Sequence, residues 1–220
     1  HINKYKNWKK IDFKNVSFSH EKSSKKIMNN INLTINRGET IGIQGTTGSG
    51  KSTFADLLSG LLLPTSGIIT ATGNKKIKKS VLNDPSWFKE ISYVPQKIFL
   101  LDNTVAKNIA FTMNESEIDY ELIEKVSKMA KIDSHIKSLQ NGYQSIVGEQ
   151  GIKLSGGQQQ RICIARALYR KASILIFDEA TSALDYGTED KIMDSISDLS
   201  KIETITILII AHRLNTFDLC

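Results

Sequence analysis

"ETIGIQGTTGSGKSTFADLLSG", residues 39–60, runs an apolar stretch into a glycine-rich turn and the turn into helix-forming residues. "ETIGI" (39–43) reads as a strand, and a helix is expected from about Lys51 to Leu58, ended near Gly60 with Pro64 beyond it. Between them Gly45, Gly50, Lys51 and Ser52 fit G-x-x-x-x-G-K-Ser/Thr in the setting that spacing needs, after a strand and before a helix. Gly45, Thr46, Thr47, Gly48, Ser49 and Gly50 form a turn whose backbone N–H groups can curl around a phosphate. The helix start at Lys51, Ser52 and Thr53 favours an anion, the Lys51 amine reaches the outer phosphates, and the Ser52 hydroxyl suits Mg²⁺.

"SILIFDEA" (173–180) supplies the complement, a buried apolar strand ending in Asp178 and Glu179. Side chains alternate along a strand, so the two acids point differently: Asp178 suits a hold on Mg²⁺ and Glu179 suits polarisation of an attacking water. A second glycine turn, "LSGGQQQR" (154–161), lacks a lysine and follows no strand. Ser155, Gly156, Gly157 and Gln158 place a hydroxyl and free amides at a helix start. That device stabilises an anion bound by something else, or simply caps its own helix.

Working outward, "IDFKNVSFS" (11–19) and "INLTI" (31–35) alternate as antiparallel strands, and "ISYVP" (91–95) is another short strand. Thr104 is placed to cap "VAKNIAF", and the spacing of Ile118, Leu122, Val126 and Met129 predicts helix over 116–132. "NKKIKK" (74–79) reads as a lysine-rich loop. From 161 onward helix and buried strand alternate, so the expected fold is an α/β core with a parallel sheet, interrupted by a helical insert.

Composition narrows the function classes. The chain has 220 residues, 40% hydrophobic and 24% charged, which is ordinary globular usage. Its longest apolar runs fall far short of the roughly 20 residues that cross a bilayer. No secretory signal pattern opens it, and Cys163 and Cys220 lack metal-ligand spacing, so a reducing setting is expected. The net charge of +6 lies in scattered lysines without the aromatic interleaving that base stacking needs, so nucleic acid is not an expected partner.

"LSGGQ", the phosphate loop and "ILIFDEATSALD" together resemble the ATP-binding-cassette (ABC) transporter ATPases, across essentially the whole chain. The resemblance implies a P-loop NTPase (RecA-like) core with an antiparallel β subdomain over 1–96 and 161–220, and an inserted α-helical subdomain over 97–160. It implies ATP and Mg²⁺ as ligands and a head-to-tail dimer in which the 154–158 turn completes the partner copy's ATP site. Gln96 in "YVPQ" matches the family's Mg²⁺- and water-sensing glutamine, Ser182 to Asp185 its interface loop, and His212 in "IIAHR" its γ-phosphate-sensing histidine. His20 stands where exporters of the family stack an aromatic residue, often Tyr, on adenine; imidazole offers less area.

Residues Gly148, Glu149, Gln150 and Gly151 in "VGEQGIKLSGGQ", and "IFLLDNTVAKNIAF" (98–111), resemble exporter segments that touch transmembrane domains, including those of lipid and lipid-linked oligosaccharide flippases. The leading "NKYKNWKKIDFKNVSF" is similar to the join between a membrane domain and its ATPase. The resemblance therefore implies the ATPase domain of an exporter, held at the cytoplasmic face of a membrane. An importer's separate ATPase subunit is the alternative. A DNA-maintenance cassette protein is a more distant one, because such proteins insert a long coiled coil where only residues 97–153 separate Gln96 from Leu154.

Overall fold

The computed structural model describes residues 5–20, 26–73, 78–81, 84–149, 151–178, 186–202 and 204–211. Its elements are, in order, β1 Trp8–Phe18, β2 Met28–Asn36, β3 Thr40–Gln44, α1 Lys51–Ser59, β4 Ser66–Gly73, β5 Lys78–Ser80, α2 Pro85–Phe88, β6 Ile91–Val94, β7 Asn103–Thr104 and α3 Val105–Ala110. There follow α4 Tyr120–Met129, α5 Asp133–Ser138, β8 Ile146–Val147, α6 Gly156–Tyr169, β9 Ile174–Asp178, α7 Tyr186–Ser200 and β10 Thr206–Ala211. No helix among the described residues is long and apolar enough to cross a membrane.

The parallel sheet has the order β3-β10-β9-β6, and the antiparallel sheet the order β2-β1-β4-β5. Because strand side chains alternate, the parallel sheet feeds two cores. Ile174, Ile176, Leu208 and Ile210 join a cluster with Leu57 and Leu58 of α1 and Phe13, Ile35 and Ile69 of the antiparallel sheet. Leu175, Phe177, Ile207 and Ile209 join the other, with Ile162 and Ala165 of α6, Ile192 and Ile196 of α7, and Ile109, Ile123 and Val126 of α3 and α4. Helix α1 thus bridges the two sheets, with the Phe54 ring stacked on Phe13 at 5.0 Å. The parallel-sheet α/β core and the β1–β2 antiparallel pair are as expected.

Two local readings are corrected. The stretch 116–132 is not one helix: a single 3-10 turn at Glu115–Glu117 is followed by extended Ile118, and α4 starts only where the Asp119 carboxylate accepts from the Leu122 amide. The lysine run is partly strand, since Lys78 and Lys79 pair in β5 with Thr72 and Ala71 of β4. β4 itself has no sequence alternation, because three exposed residues precede three consecutive buried ones. Register in β1 also shifts twice around Val16, with Asn15 at φ 50, which lets Ile11, Phe13, Val16 and Phe18 all face the core.

Candidate functional site

All four parallel strands end at one edge. Gln44 of β3 pairs with Ala211 of β10, Ile210 with Asp178 of β9, and Phe177 with Val94 of β6. The carboxyl edge of such a sheet is where α/β folds bind ligands, and the first glycine loop, Asp178 and the chain leading to Gln96 all emerge there. Gln96 is exposed, two residues beyond β6. Glu179, Asp185 with its neighbours Ser182 to Leu184, and His212 lie outside the described residues.

The loop from Gly45 to Gly50 folds over its own lysine. Lys51 is 8% exposed, and its Nζ donates to the carbonyl oxygens of Gly45 at 2.8 Å and Thr46 at 3.0 Å. Residues 46–49 and Ser52 face solvent, and Thr53 is half-buried. Gly50 is the N-cap of α1 at φ 97 and, having no side chain, leaves the first-turn amides uncapped. A Cβ there would also sit 2.8 Å from the Ile27 side chain. Glycine at 50 is therefore demanded twice, by dihedral and by space.

Asp178 is not alone at the end of β9. The Tyr93 hydroxyl donates to its Oδ2 across the β6–β9 seam. The carboxyl of Asp56, on α1, is pushed above the usual carboxylate range first by burial and then by the charge of Asp178. Two oxygen donors, the Ser52 hydroxyl at the start of α1 and the Asp178 carboxylate, suit a hard cation such as Mg²⁺. Sequence reading missed Tyr93, whose place here depends on β9 lying beside β6.

His20 is exposed just past β1, its ring edge-on to Phe18 at 5.2 Å and 82°. The Ile27 amide donates to the Phe18 carbonyl, and Ile27 lies against Gly50, so the β1–β2 end borders the phosphate loop.

The second glycine turn is a complete capping box. Ser155 Oγ accepts from the Gln158 amide at 3.3 Å, and Gln158 Oε1 accepts from the Ser155 amide at 2.8 Å. Gln158 Nε2 also lies 3.5 Å from His135 Nδ1 of α5. Ser155 and Gly156 are exposed while Gly157 is buried. Among the described residues no hydrogen bond joins this turn to the 45–52 loop, and Leu154 and α1 belong to different core clusters. Capping its own helix does not use up the turn: the hydroxyl retains its proton, and the first-turn amides of α6 point outward from the helix end.

Two surface hollows border these elements. One of about 600 Å³ is lined by Phe99, Asp102, Gly148, Glu149, Ile152 and Lys153, with Phe99 70% exposed. Gly148, at φ 115, lets its loop press onto the 98–102 stretch, because a Cβ there would meet the Asp102 carboxylate at 2.3 Å. The other, about 460 Å³, is lined by Asp56, Leu61, Phe88, Tyr93 and Arg170, and shares Tyr93 with the Asp178 cluster.

The sequence profile of the family described as "ABC transporter" matches residues 28–182, from the start of β2 past the end of β9. The chain therefore belongs to the ABC transporter family, whose cassette domains bind ATP. It is 45% identical over 207 residues to the alpha-hemolysin translocation ATP-binding protein HlyB of Escherichia coli O157:H7. It is 44% identical over 207 residues to the leukotoxin export ATP-binding protein LtxB of Aggregatibacter actinomycetemcomitans. Each alignment takes 94% of this chain and 28% of the relative, so the chain spans just over a quarter of those curated proteins. A solved structure of a bacterial Atm1-family ABC exporter with ATP bound superposes at a TM-score of 0.78 with 34% identity, over 96% of this chain and 35% of the other.

Proposed function

We propose that the chain is the ATP-hydrolysing domain of an exporter, driven by closure of two copies around two ATP molecules. The observation that carries this reading is the gathering of the Lys51 loop and Asp178 at one sheet edge, in a chain related to proteins named for translocation and export. Those names favour export over the importer alternative.

In this reading the amides of 45–50 and the start of α1 hold the β-phosphate. The Lys51 ammonium turns from the Gly45 and Thr46 carbonyls to the outer phosphates. Ser52 and Asp178 would hold Mg²⁺, with Gln96 as a further ligand, and the bound cation would supply positive charge against the phosphates. Glu179 takes the proton of the attacking water, His212 contacts the γ-phosphate, and His20 lies on adenine. Ser155 and the Gly156 and Gly157 amides, with Gln158 and Asp185 beside them, close on the nucleotide of the second copy. Phosphoryl transfer asks for position and charge neutralisation more than covalent chemistry, which is what this set supplies.

The hollows at Phe99–Lys153 and Leu61–Tyr93 are docking sites for cytoplasmic loops of a membrane domain. The relatives' much greater length supports that occupant, and so does the exposure of Leu61 at 67% and Phe99 at 70%. The reading places the domain at the cytoplasmic face of a membrane.

Light scattering on Glu179→Gln tests it. The variant should lose turnover by about 100-fold to 10,000-fold, the usual worth of a general base, and should pair only when Mg-ATP is added. A monomer that binds ATP without pairing would contradict it.

A further inference from the structure

Helix α6 begins at the Ser155 turn and carries Arg166 eleven residues further on, about 16 Å along the axis at 1.5 Å per residue. The Arg166 guanidinium is spent on a single neighbouring stretch. Its Nε donates to the Asn108 carbonyl at 2.8 Å, Nη1 to the Phe99 carbonyl at 3.2 Å and Nη2 to Asn108 Oδ1 at 3.3 Å. Its Cζ lies 4.8 Å from the centroid of the Phe111 ring. Asn108, fully buried, continues the link: Oδ1 also accepts from the Leu101 amide at 2.9 Å, and Nδ2 donates to the carbonyls of Leu101, Asn103 and Thr104.

Arg166 and Asn108 therefore tie both ends of the 99–111 stretch to α6. The two aromatic residues they hold, Phe99 by its carbonyl and Phe111 by the face of its ring, are 70% and 58% exposed. A planar fork donates from three separate nitrogens in fixed directions, whereas lysine donates all three of its N–H groups from one nitrogen and does not span these acceptors. Burial lowers the pKa of Arg166, yet a guanidinium keeps its proton at any physiological pH, so the tie is permanently charged.

We propose that Arg166 is the positioning residue that makes the Phe99–Phe111 face move as one body with the Ser155 turn, so that ATP engaged by the turn of one copy is felt at the docking face. This rests on the pairing reading above, and it adds the named route by which closure reaches the membrane side.

The test is hydrogen–deuterium exchange on the chain carrying Glu179→Gln, with and without Mg-ATP, comparing native Arg166 with Arg166→Gln and Arg166→Lys. With Arg166 present, ATP should slow exchange at 154–158 and also at 99–104, where the Leu101 amide reports directly, each by at least about fivefold, the lower range of measured site-to-site coupling. With Lys, which keeps the charge and the stem, slowing at 154–158 should persist and the ATP response at 99–104 should vanish. A purely structural residue would change the exchange rate at 99–104 with and without ATP alike. An ATP response at 99–104 undiminished in the Lys variant overturns the proposal, as does loss of the response at 154–158 together with it. Unfolding of both variants also overturns it, because Arg166 would then be part of the core alone. If neither region responds in the chain with native Arg166, it is the pairing reading that fails.

Discussion

Tyr93 and Asp178 are joined by a hydrogen bond from the phenol to Oδ2, one strand apart on the parallel sheet. Tyr93 also forms part of the hollow with Leu61 and Phe88. The residue proposed to hold Mg²⁺ is thus oriented by one whose other edge faces a proposed docking site. Hydrogen bonds to a charged group contribute about 1.5–3 kcal/mol in protected settings; Tyr93 is 38% exposed, so the lower end applies. Tyr93→Phe should raise the Mg²⁺ concentration for half-maximal ATPase activity by about tenfold, with turnover at saturating Mg²⁺ little changed. A Mg²⁺ titration that overlays the native curve would remove Tyr93 from the site.

Gly148 faces a different constraint. At φ 115, with a Cβ position 3.0 Å from the Asp102 Cα and 3.1 Å from its amide nitrogen, it meets backbone that cannot rotate aside. Gly148→Ala should therefore cost about 1–3 kcal/mol of stability, read as a lower urea midpoint with an unchanged slope. The same change should separate β8 from β7, visible as faster exchange at the Val105 amide, which donates to the Ser145 carbonyl. An unchanged urea midpoint would show that the turn can shift freely.

The motifs were legible because each is a local sentence: strand, glycine turn, lysine and helix at 39–60, or acids closing an apolar strand at 173–179. So was the β1–β2 pairing, where alternation survives two bulges. What stayed hidden depends on partners distant in sequence. β4 carries no period of two, because its exposed and buried residues come in blocks set by where it meets β1 and β5. The break at Ile118 was masked by apolar spacing that is helical on both sides of a capping Asp119. Arg166 reads as one more cation on a helix until Asn108 and Phe99, 58 and 67 residues away, are folded beneath it. Tyr93 likewise looks like an ordinary strand residue until β9 is laid beside β6.

Glu124 should set part of the acid response of the helical region. Hydrogen bonds from Lys128 at 2.8 Å and Lys137 at 2.7 Å hold its pKa down at about 2, from 4.5. A depressed carboxylate pKa contributes stability that is present above the unfolded value and lost as pH falls through the folded one. The contribution is therefore complete above about pH 4.5 and disappears toward about pH 2. Glu124→Gln should flatten that part of the stability–pH curve, and added salt should do the same to the native chain because the cluster is exposed. Equal acid sensitivity of variant and native chain in low-salt urea melts would show that the cluster contributes nothing measurable.

His20 offers the most direct test of the adenine position. It is exposed, its only described ring contact is the edge-on one to Phe18, and it stands at the end of β1 that borders the phosphate loop through Ile27. Replacement by Tyr adds ring area without burying new surface in the free chain, so folding should be unaffected and any gain should appear in binding alone. Aromatic stacking contributes about 0.5–1.5 kcal/mol beyond area, which corresponds to a Kd for ATP about twofold to tenfold lower in His20→Tyr. The gain should be equal for ATP and ADP, since both carry the base, and absent for inorganic triphosphate, which does not. Equal tightening of triphosphate would place the effect on the phosphate loop, and no change for any of the three would remove residue 20 from the nucleotide site.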